Sequence, residues 1–378
     1  MQPLTHHHLF DMKPLNFKFA IVSDLHIALA HTLWDSPTRC HLVEVSIPAL
    51  ERVLQQLSRL DLDFLLLPGD LTQHGEPENH RWLSQRLAQL PYPAYVIPGN
   101  HDVPVLEADR QSIGWGEFPG YYRAFGYDNG DRLYYTCQVL PGVQLIGLNS
   151  NQFDAQGVQQ GYLDRPQLDW LAQVLAEVRD ELVLVMVHHN VIEHLPGQSQ
   201  SALGRRYIID NAEELLDLLR QAGVQLVFSG HLHAQDIAYD RGIYDITTGS
   251  LVSYPHPYRV LNLHTDDRGK RWLQIESGRV DALPGWETLL STSREWMGDR
   301  SYPYMLRLLM DAPLQLSAEE AELYAPGLRY FWADIANGDA LSEFPHIPAA
   351  IDRFLQQFNA IAPDGTLSFI DNHITLRL

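Results

Sequence analysis

The stretch Pro98-Gly99-Asn100-His101-Asp102 sets an amide, an imidazole and a carboxylate side by side, directly after the short apolar run Ala94 to Ile97. Such a run reads as a buried strand, and Gly99 lets the backbone turn sharply at its end. Taken alone, the pentapeptide would serve equally well as a polar loop that caps a helix. The arrangement returns four more times. Asp24-Leu25-His26 follows Phe17 to Ser23, and Gly69-Asp70 follows Phe64 to Leu67. His188-His189 follows Leu182 to Val187, and Gly230-His231-Leu232-His233 follows Val224 to Phe228. Individually, Asp24 and His26 read as a turn and Asp70 as a helix cap. Five strand ends that all deliver polar side chains are hard to obtain by chance.

Carboxylates and imidazoles together suit divalent first-row metals. The neutral carbonyl oxygen of Asn100 suits a cation that already has anionic partners. In extended chain, positions i and i+2 point the same way, so Asp24 with His26, and His231 with His233, can each grip one site. By the same rule His189 faces away from His188 and reads as a packing residue. The two cysteines, Cys40 and Cys137, stand far from these motifs, which excludes a thiolate site. The candidate ligands are therefore Asp24, His26, Asp70, Asn100, His188, His231 and His233. Seven ligands exceed the needs of one ion and suit two ions that share a carboxylate. Two such ions roughly 3.5–4 Å apart clamp a phosphate for in-line displacement and supply a bridging hydroxide near neutral pH.

The elements that must position these residues follow from periodicity. Val43, Ile47, Leu50, Leu54 and Leu57 recur at helical spacing between 43 and 60, and a second helix is predicted near Glu78 to Leu90. Strand-like runs separated by helices are the βαβ pattern of a mostly parallel sheet, where ligands collect beyond the carboxyl ends of the strands. Val143 to Leu148 continues the pattern, followed by a helix that Asp164 caps with Pro166 in its first turn. A further helix opens on Asp210, with Glu213 completing a capping box, and stops at Gly223. Residues 103–142, rich in glycine and aromatics such as Trp115 and Tyr121, read as an excursion over the cleft. Runs at 243–247, 258–263 and 272–275 read as antiparallel additions completing a second sheet. Beyond a boundary near 283, helices are predicted over 286–297, 318–323 and 349–358, with Ser317 and Glu320 as a capping box. The expected organisation is thus a leader over 1–16, a catalytic domain over 17–283 and a mostly helical extension over 284–378.

A formal charge of −20 and an isoelectric point near 5.2 disfavour proteins that hold long nucleic acid by its backbone. Two cysteines give no disulfide framework, and a reducing, cytoplasmic setting is the simpler reading. No 18 apolar residues run together, so no membrane span is expected. His6-His7-His8 at the start reads as part of a disordered leader. Elsewhere His31, His41, His74, His80 and His194 read as surface or core residues. His256, in Tyr-Pro-His-Pro-Tyr, has some claim on the cleft, and Arg205-Arg206 reads either as a phosphate contact or as a solvated pair.

Together, Asp24-Leu25-His26, Gly69-Asp70, Gly99-Asn100-His101-Asp102, His188 and Gly230-His231-Leu232-His233 resemble the five motif blocks of the calcineurin-like metallophosphoesterases, in the same order. The resemblance covers about residues 18–264. The segment Gly161 to Leu175, with Tyr162-Leu163 and Asp169-Trp170-Leu171, resembles a bacterial branch that includes class III cyclic-nucleotide phosphodiesterases and glycerophosphodiesterases. The resemblance implies an α/β (α+β) fold of two packed mixed β-sheets flanked by helices. It implies Asp24, His26 and His233 on a first ion, Asn100, His188 and His231 on a second, and Asp70 between them. It places His101 beside the substrate phosphate, orienting it or protonating the leaving oxygen, with Asp102 hydrogen-bonded to His101 to fix its tautomer. Residues 284–378 inherit no role from it.

The implied activity is hydrolysis of a small phosphodiester, a 3′,5′-cyclic nucleotide being the favoured case, with two divalent or mixed-valence transition-metal ions as cofactors. Manganese, iron, zinc, nickel and cobalt all suit the ligand set. A phosphomonoesterase or a nuclease with the same site is the alternative, and the lack of a basic groove counts against the nuclease. A scaffold without chemistry is a further reading, but such relatives lose ligands and this chain has lost none. A homo-oligomer remains open.

Overall fold

A computed structural model describes residues 14–34, 36, 39–128, 130–178, 181–362 and 365–378, so the His6-His7-His8 leader lies outside the described residues. In chain order the first elements are β1 (Asn16–Ile21), α1 (Ser46–Leu57), β2 (Phe64–Leu67), α2 (Pro77–Leu87), β3 (Ala94–Val96) and α3 (Phe118–Tyr121). Next come β4 (Tyr135–Leu140), β5 (Val143–Gly147), β6 (Asn151–Phe153), β7 (Gln159–Gly161), α4 (Arg165–Glu177) and β8 (Leu182–Met186). Then follow α5 (Ala212–Gln221), β9 (Leu226–Ser229), β10 (Asp236–Asp240), β11 (Ile243–Thr247), β12 (Pro257–Thr265) and β13 (Arg271–Arg279). The last are α6 (Leu289–Arg300), α7 (Tyr302–Met310), α8 (Ala318–Tyr324), α9 (Phe331–Asn337), α10 (Ala349–Leu355) and β14 (His373–Arg377).

The strands form two six-stranded mixed sheets, ordered β14-β13-β12-β1-β2-β3 and β10-β11-β9-β8-β5-β4, plus the small hairpin β6-β7. β2 and β8 are buried at every position, as expected of central parallel strands covered on both faces. Phe19, Phe64 and Phe228 meet between the sheets, with Phe19 stacked on Phe64 and edge-on to Phe228. A second core lies under α4 and α5, where Leu168, Leu171, Leu215 and Leu219 pack on the second sheet. No helix among the described residues is long and apolar enough to cross a membrane.

Several elements depart from expectation. The runs at 243–247, 258–263 and 272–275 do not complete one sheet: β11 joins the second, parallel to β9, while β12 extends the first antiparallel to β1 and β13 follows antiparallel to β12. Asp210 does not cap α5. The N-cap is Asn211, whose side chain reaches back to the N–H and carbonyl of Leu163 (3.0 and 2.9 Å) and leaves the helix end uncapped. The capping roles of Asp164 and Ser317 do hold. The described residues of 103–142 line none of the large cavity described below; Phe118, Tyr122 and Tyr127 are buried in the core, and Trp115 and Tyr121 pack against it.

The stretch after 283 contributes two things. Its helices build a small core of their own from Met305, Leu309, Leu328, Phe331 and Leu355. Its last strand, β14, pairs antiparallel with β13 at the edge of the first sheet. The fully buried guanidinium of Arg259 on β12 ties the two regions together, donating to the carbonyls of Asp371 and, at 2.9 Å, Thr247.

Candidate metal centre

Five strands, β1, β2 and β3 from one sheet and β8 and β9 from the other, end at a single point. Just past their carboxyl ends stand Asp24 and His26, Asp70, Asn100, His188, and His231 and His233. One ligand atom each from Asp24, His26, Asp70 and His233 lie within 4.8 Å of one another, and the same holds for Asp70, His188 and His231. Asp70 belongs to both groups. The Asn100 Oδ1 lies 3.1 Å from the His188 Nε2 and so joins the second. All seven residues picked from the sequence therefore meet.

The backbone there is strained. Asp24, His26, Asp70, His231 and His233 all have φ between 43° and 65°, a left-handed conformation that costs a residue with a Cβ roughly 1–2 kcal/mol. Outliers of this kind gather where side chains must be aimed. Glycines make the convergence sterically possible. A Cβ on Gly99 would lie 2.2 Å from the Asp70 N and Oδ1, and one on Gly230 would lie 2.2 Å from the Ser23 Oγ.

Hydrogen bonds fix which imidazole nitrogen is free. His188 donates from Nδ1 to the Pro68 carbonyl (2.8 Å), which turns the Nε2 lone pair toward Asp70, 3.4 Å away. His231 donates from Nε2 to the Arg206 carbonyl (3.0 Å), so its free nitrogen is Nδ1. The His233 Nε2 lies 3.2 Å from the Asp24 Oδ1 and 3.3 Å from the His26 Nε2. Two lone-pair nitrogens at that separation, beside buried carboxylates, are what a cation would bridge.

The electrostatics point the same way. Burial, with His41 next in weight, holds His26 well below the usual histidine value, and burial with His189 does so for His231. Neutral imidazoles are the form that ligates. Burial opposes the charge of Asp70, yet the His188 imidazole, then His101, keep its carboxyl well below the usual range. Burial likewise opposes protonation of His188, but Asp70 wins and lifts it to about 9. The carboxylate that attracts a proton there would attract a cation as strongly. A donor set of buried carboxylates, imidazoles and one amide thus fits a pair of transition-metal ions.

Asp102 is a correction. It makes no hydrogen bond to the His101 ring; its oxygens accept from the N–H groups of Gly99 (2.8 Å), Leu71 (3.0 Å) and Thr72 (2.8 Å) and from the Thr72 hydroxyl (3.0 Å). The tautomer of His101 is set instead by the Gln73 carbonyl, which accepts from Nδ1 at 2.7 Å. Asp102 therefore knits the loop after β2 to the loop after β3 and keeps Asp70 and Asn100 in register. The His101 N–H donates to the Asp70 Oδ1 (2.8 Å).

Other residues resolve as follows. His189 bonds the Ser150 hydroxyl (2.8 Å) through Nδ1 and packs on His231, a backing role. His256 is fully buried, donates to the Leu251 carbonyl (2.9 Å) and does not line the cavity. Arg206 does: its guanidinium lies over Tyr207 and over Tyr304 of α7. His41 is the residue that sequence reasoning missed. Its ring stacks on His26 with centroids 4.4 Å apart, and it lines the cavity. The segment around it has no strand-end pattern that could have revealed this.

A cavity of about 1040 Å³ opens over the ligand cluster. One wall carries Asp70, Asn100, His101, His231 and His233; the facing wall belongs to the region after 283, with Tyr304, Leu308, Trp332, Ile335, Phe354 and Phe358.

Comparison with known proteins agrees with this geometry. The sequence profile described as Calcineurin-like phosphoesterase matches residues 17–235. A 3′,5′-cyclic-nucleotide phosphodiesterase from a Nostoc species is 30% identical over 191 residues, 50% of this chain and 62% of that protein. A probable glycerophosphodiester phosphodiesterase from Arcobacter nitrofigilis is 27% identical over 250 residues, 64% of this chain and 81% of that one. The crystal structure of a dimetal phosphatase from Danio rerio superposes with a TM-score of 0.50 at 18% identity, covering 70% of this chain and 96% of that one, a likeness of fold. The chain belongs to the calcineurin-like phosphoesterase family, and its phosphodiesterase-named relatives make it a metal-dependent phosphoester hydrolase.

Proposed function

We propose that this calcineurin-like phosphoesterase hydrolyses a small phosphodiester, with a 3′,5′-cyclic nucleotide as the favoured substrate, at a site that holds two transition-metal ions. The observation that carries the reading is the pair of donor groups that share Asp70. Asp24, His26 and His233 would hold one ion, Asn100, His188 and His231 the other, and Asp70 both. Ions so bound neutralise phosphate charge and lower the pKa of water near phosphorus.

The chain's own residues do the remaining work. The backbone of Gly99 and His101, clamped by Asp102 and Asp70, fixes Asn100 at the mouth of the cavity. His101, with its Nδ1–H committed to Gln73, would donate from Nε2 to the phosphate or the leaving oxygen in its doubly protonated form. The cavity far exceeds a phosphate in size. The organic half of the ester therefore lies against Tyr304, Leu308, Trp332 and Phe354. Two relatives named for cyclic-nucleotide and glycerophosphodiester substrates support a diester over a monoester.

The test is a substrate panel on protein loaded with manganese, iron, zinc, nickel or cobalt in turn. Bis(p-nitrophenyl) phosphate, cyclic AMP, a glycerophosphodiester and p-nitrophenyl phosphate are compared. Turnover of the diesters above the monoester is expected. Faster turnover of the monoester, or no turnover of any diester by protein holding two equivalents of metal, would overturn the reading.

A further inference from the structure

We propose that His41 contacts the phosphoryl group of the substrate, so that two imidazoles, His41 and His101, flank the phosphate. The proposal rests on the phosphoesterase reading above. His41 stands in the segment that leads into α1 and lines the cavity. Its ring is nearly parallel to that of His26, with 15° between the planes and centroids 4.4 Å apart. It meets His233 and His101 edge-on, at 5.6 and 6.0 Å. One of its ring nitrogens lies within 4.8 Å of nitrogens of both His26 and His233.

That proximity raises the option of an eighth ligand, and the stacking argues against it. An imidazole binds a cation along a lone pair that lies in the ring plane, at about 2.0–2.1 Å for zinc. Rings stacked 4.4 Å apart and 15° from parallel keep their lone pairs in separate, nearly parallel planes. A cation in the plane of His26 is therefore out of the plane of His41.

The placement is enforced from both sides. The Trp296 indole N–H on α6 donates to the Arg39 carbonyl (3.2 Å), and the Leu42 N–H donates to the Val252 carbonyl (2.6 Å). The Arg39 guanidinium pairs with Glu44 (2.6 Å) and faces the Trp296 ring. Yet neither ring nitrogen of His41 makes a hydrogen bond with any described residue. A side chain whose backbone is pinned while its polar atoms are left open to a cavity is arranged for a ligand. Beside candidate cation positions and His101, that ligand is an oxyanion. The role is a hydrogen bond from a ring N–H to a phosphoryl oxygen, with no proton transferred.

The experiment compares wild type, His41→Ala and His41→Asn as manganese-loaded full-length protein. Metal content is read by elemental analysis, inorganic phosphate affinity by calorimetry, and kcat and KM on bis(p-nitrophenyl) phosphate. His41→Ala is expected to keep two equivalents of metal while phosphate affinity falls about tenfold, the worth of a hydrogen bond to a charged group. His41→Asn, which can still donate, should recover part of that loss. Unchanged phosphate affinity in His41→Ala would make the ring a packing element and overturn the proposal. So would loss of one metal equivalent in both variants, which would make it a ligand. Should His41→Ala fail to fold, the His41→Asn affinity decides. A wild type that binds metal and phosphate but cleaves no diester would sink the phosphodiesterase reading and leave the phosphate comparison intact.

Discussion

The two walls of the cavity are built on opposite terms. On the sandwich side each candidate ligand stands two to five residues past a strand, buried or half-buried, in backbone that the surrounding hydrogen bonds keep in place. Five left-handed residues cost several kcal/mol in sum at roughly 1–2 kcal/mol each, which only a rigid sheet core can offset. On the far side, Leu308, Trp332 and Phe354 sit on relaxed helices with a core of their own. The difference separates two demands. Aiming lone pairs tolerates little drift, so it falls to strand ends cross-braced by Asp102. Filling space around an organic group tolerates more, so it falls to helices.

The sharpest way to break this contrast is to remove the residue that both donor groups share. Asp70→Ala should abolish uptake of both ions and lower kcat/KM on every diester by about a thousandfold or more. A variant with two equivalents of metal and wild-type turnover would show the strand ends to be dispensable. Next in size comes Gly99→Ala, whose added methyl meets the Asp70 carboxylate and N–H. A displacement near 1 Å should cost roughly a hundredfold in kcat, with the loss again uniform across substrates.

The helical wall predicts a selective loss instead. Trp332→Ala should lower the kcat/KM ratio of a bulky over a small diester by roughly tenfold, an effect of pocket contact. An equal loss on both would place the helices in the chemistry and erase the contrast.

The smallest effect is on stability, at the seam of the two regions. His194 is buried between Asp236 (2.5 Å) and Asp245 (3.2 Å), and Asp245 also accepts from Ser229 and the Val191 N–H. Burial opposes its charge, but Asp245 and then Asp236 raise it to about 10. A pKa above the unfolded value of about 6.5 adds stability that is complete below pH 6.5 and fades as pH rises toward 10. The gap in Tm between wild type and His194→Gln should therefore narrow over that interval, by about 5 °C. A constant gap would mean that His194 is held neutral.

Much of the sandwich side was legible in the chain. Asp24, Asp70, His188 and their companions each follow an apolar run, and a run of four or five buried residues is a local signal. What depends on distant pairing was not. β12 could not be assigned to the first sheet from its own residues, because its partner β1 lies more than two hundred positions earlier. Asp102 invited pairing with its neighbour His101, whereas both take partners from residues 71–73, brought near by the turn at Gly69. α7 falls between the helices expected at 286–297 and 318–323, its Pro303 at home in the first helical turn. His41 carried no periodic context at all; only its stack on His26 gives it away.

The pairing of β14 with β13 has a mechanical corollary. The helical wall joins the sandwich at its start through Trp296 and at its close through five cross-strand residue pairs. A strap buckled at both ends can breathe but not swing open like a hinged gate. Traffic of reactant and product then falls to the side chains that line the cavity, while the roof itself stays put.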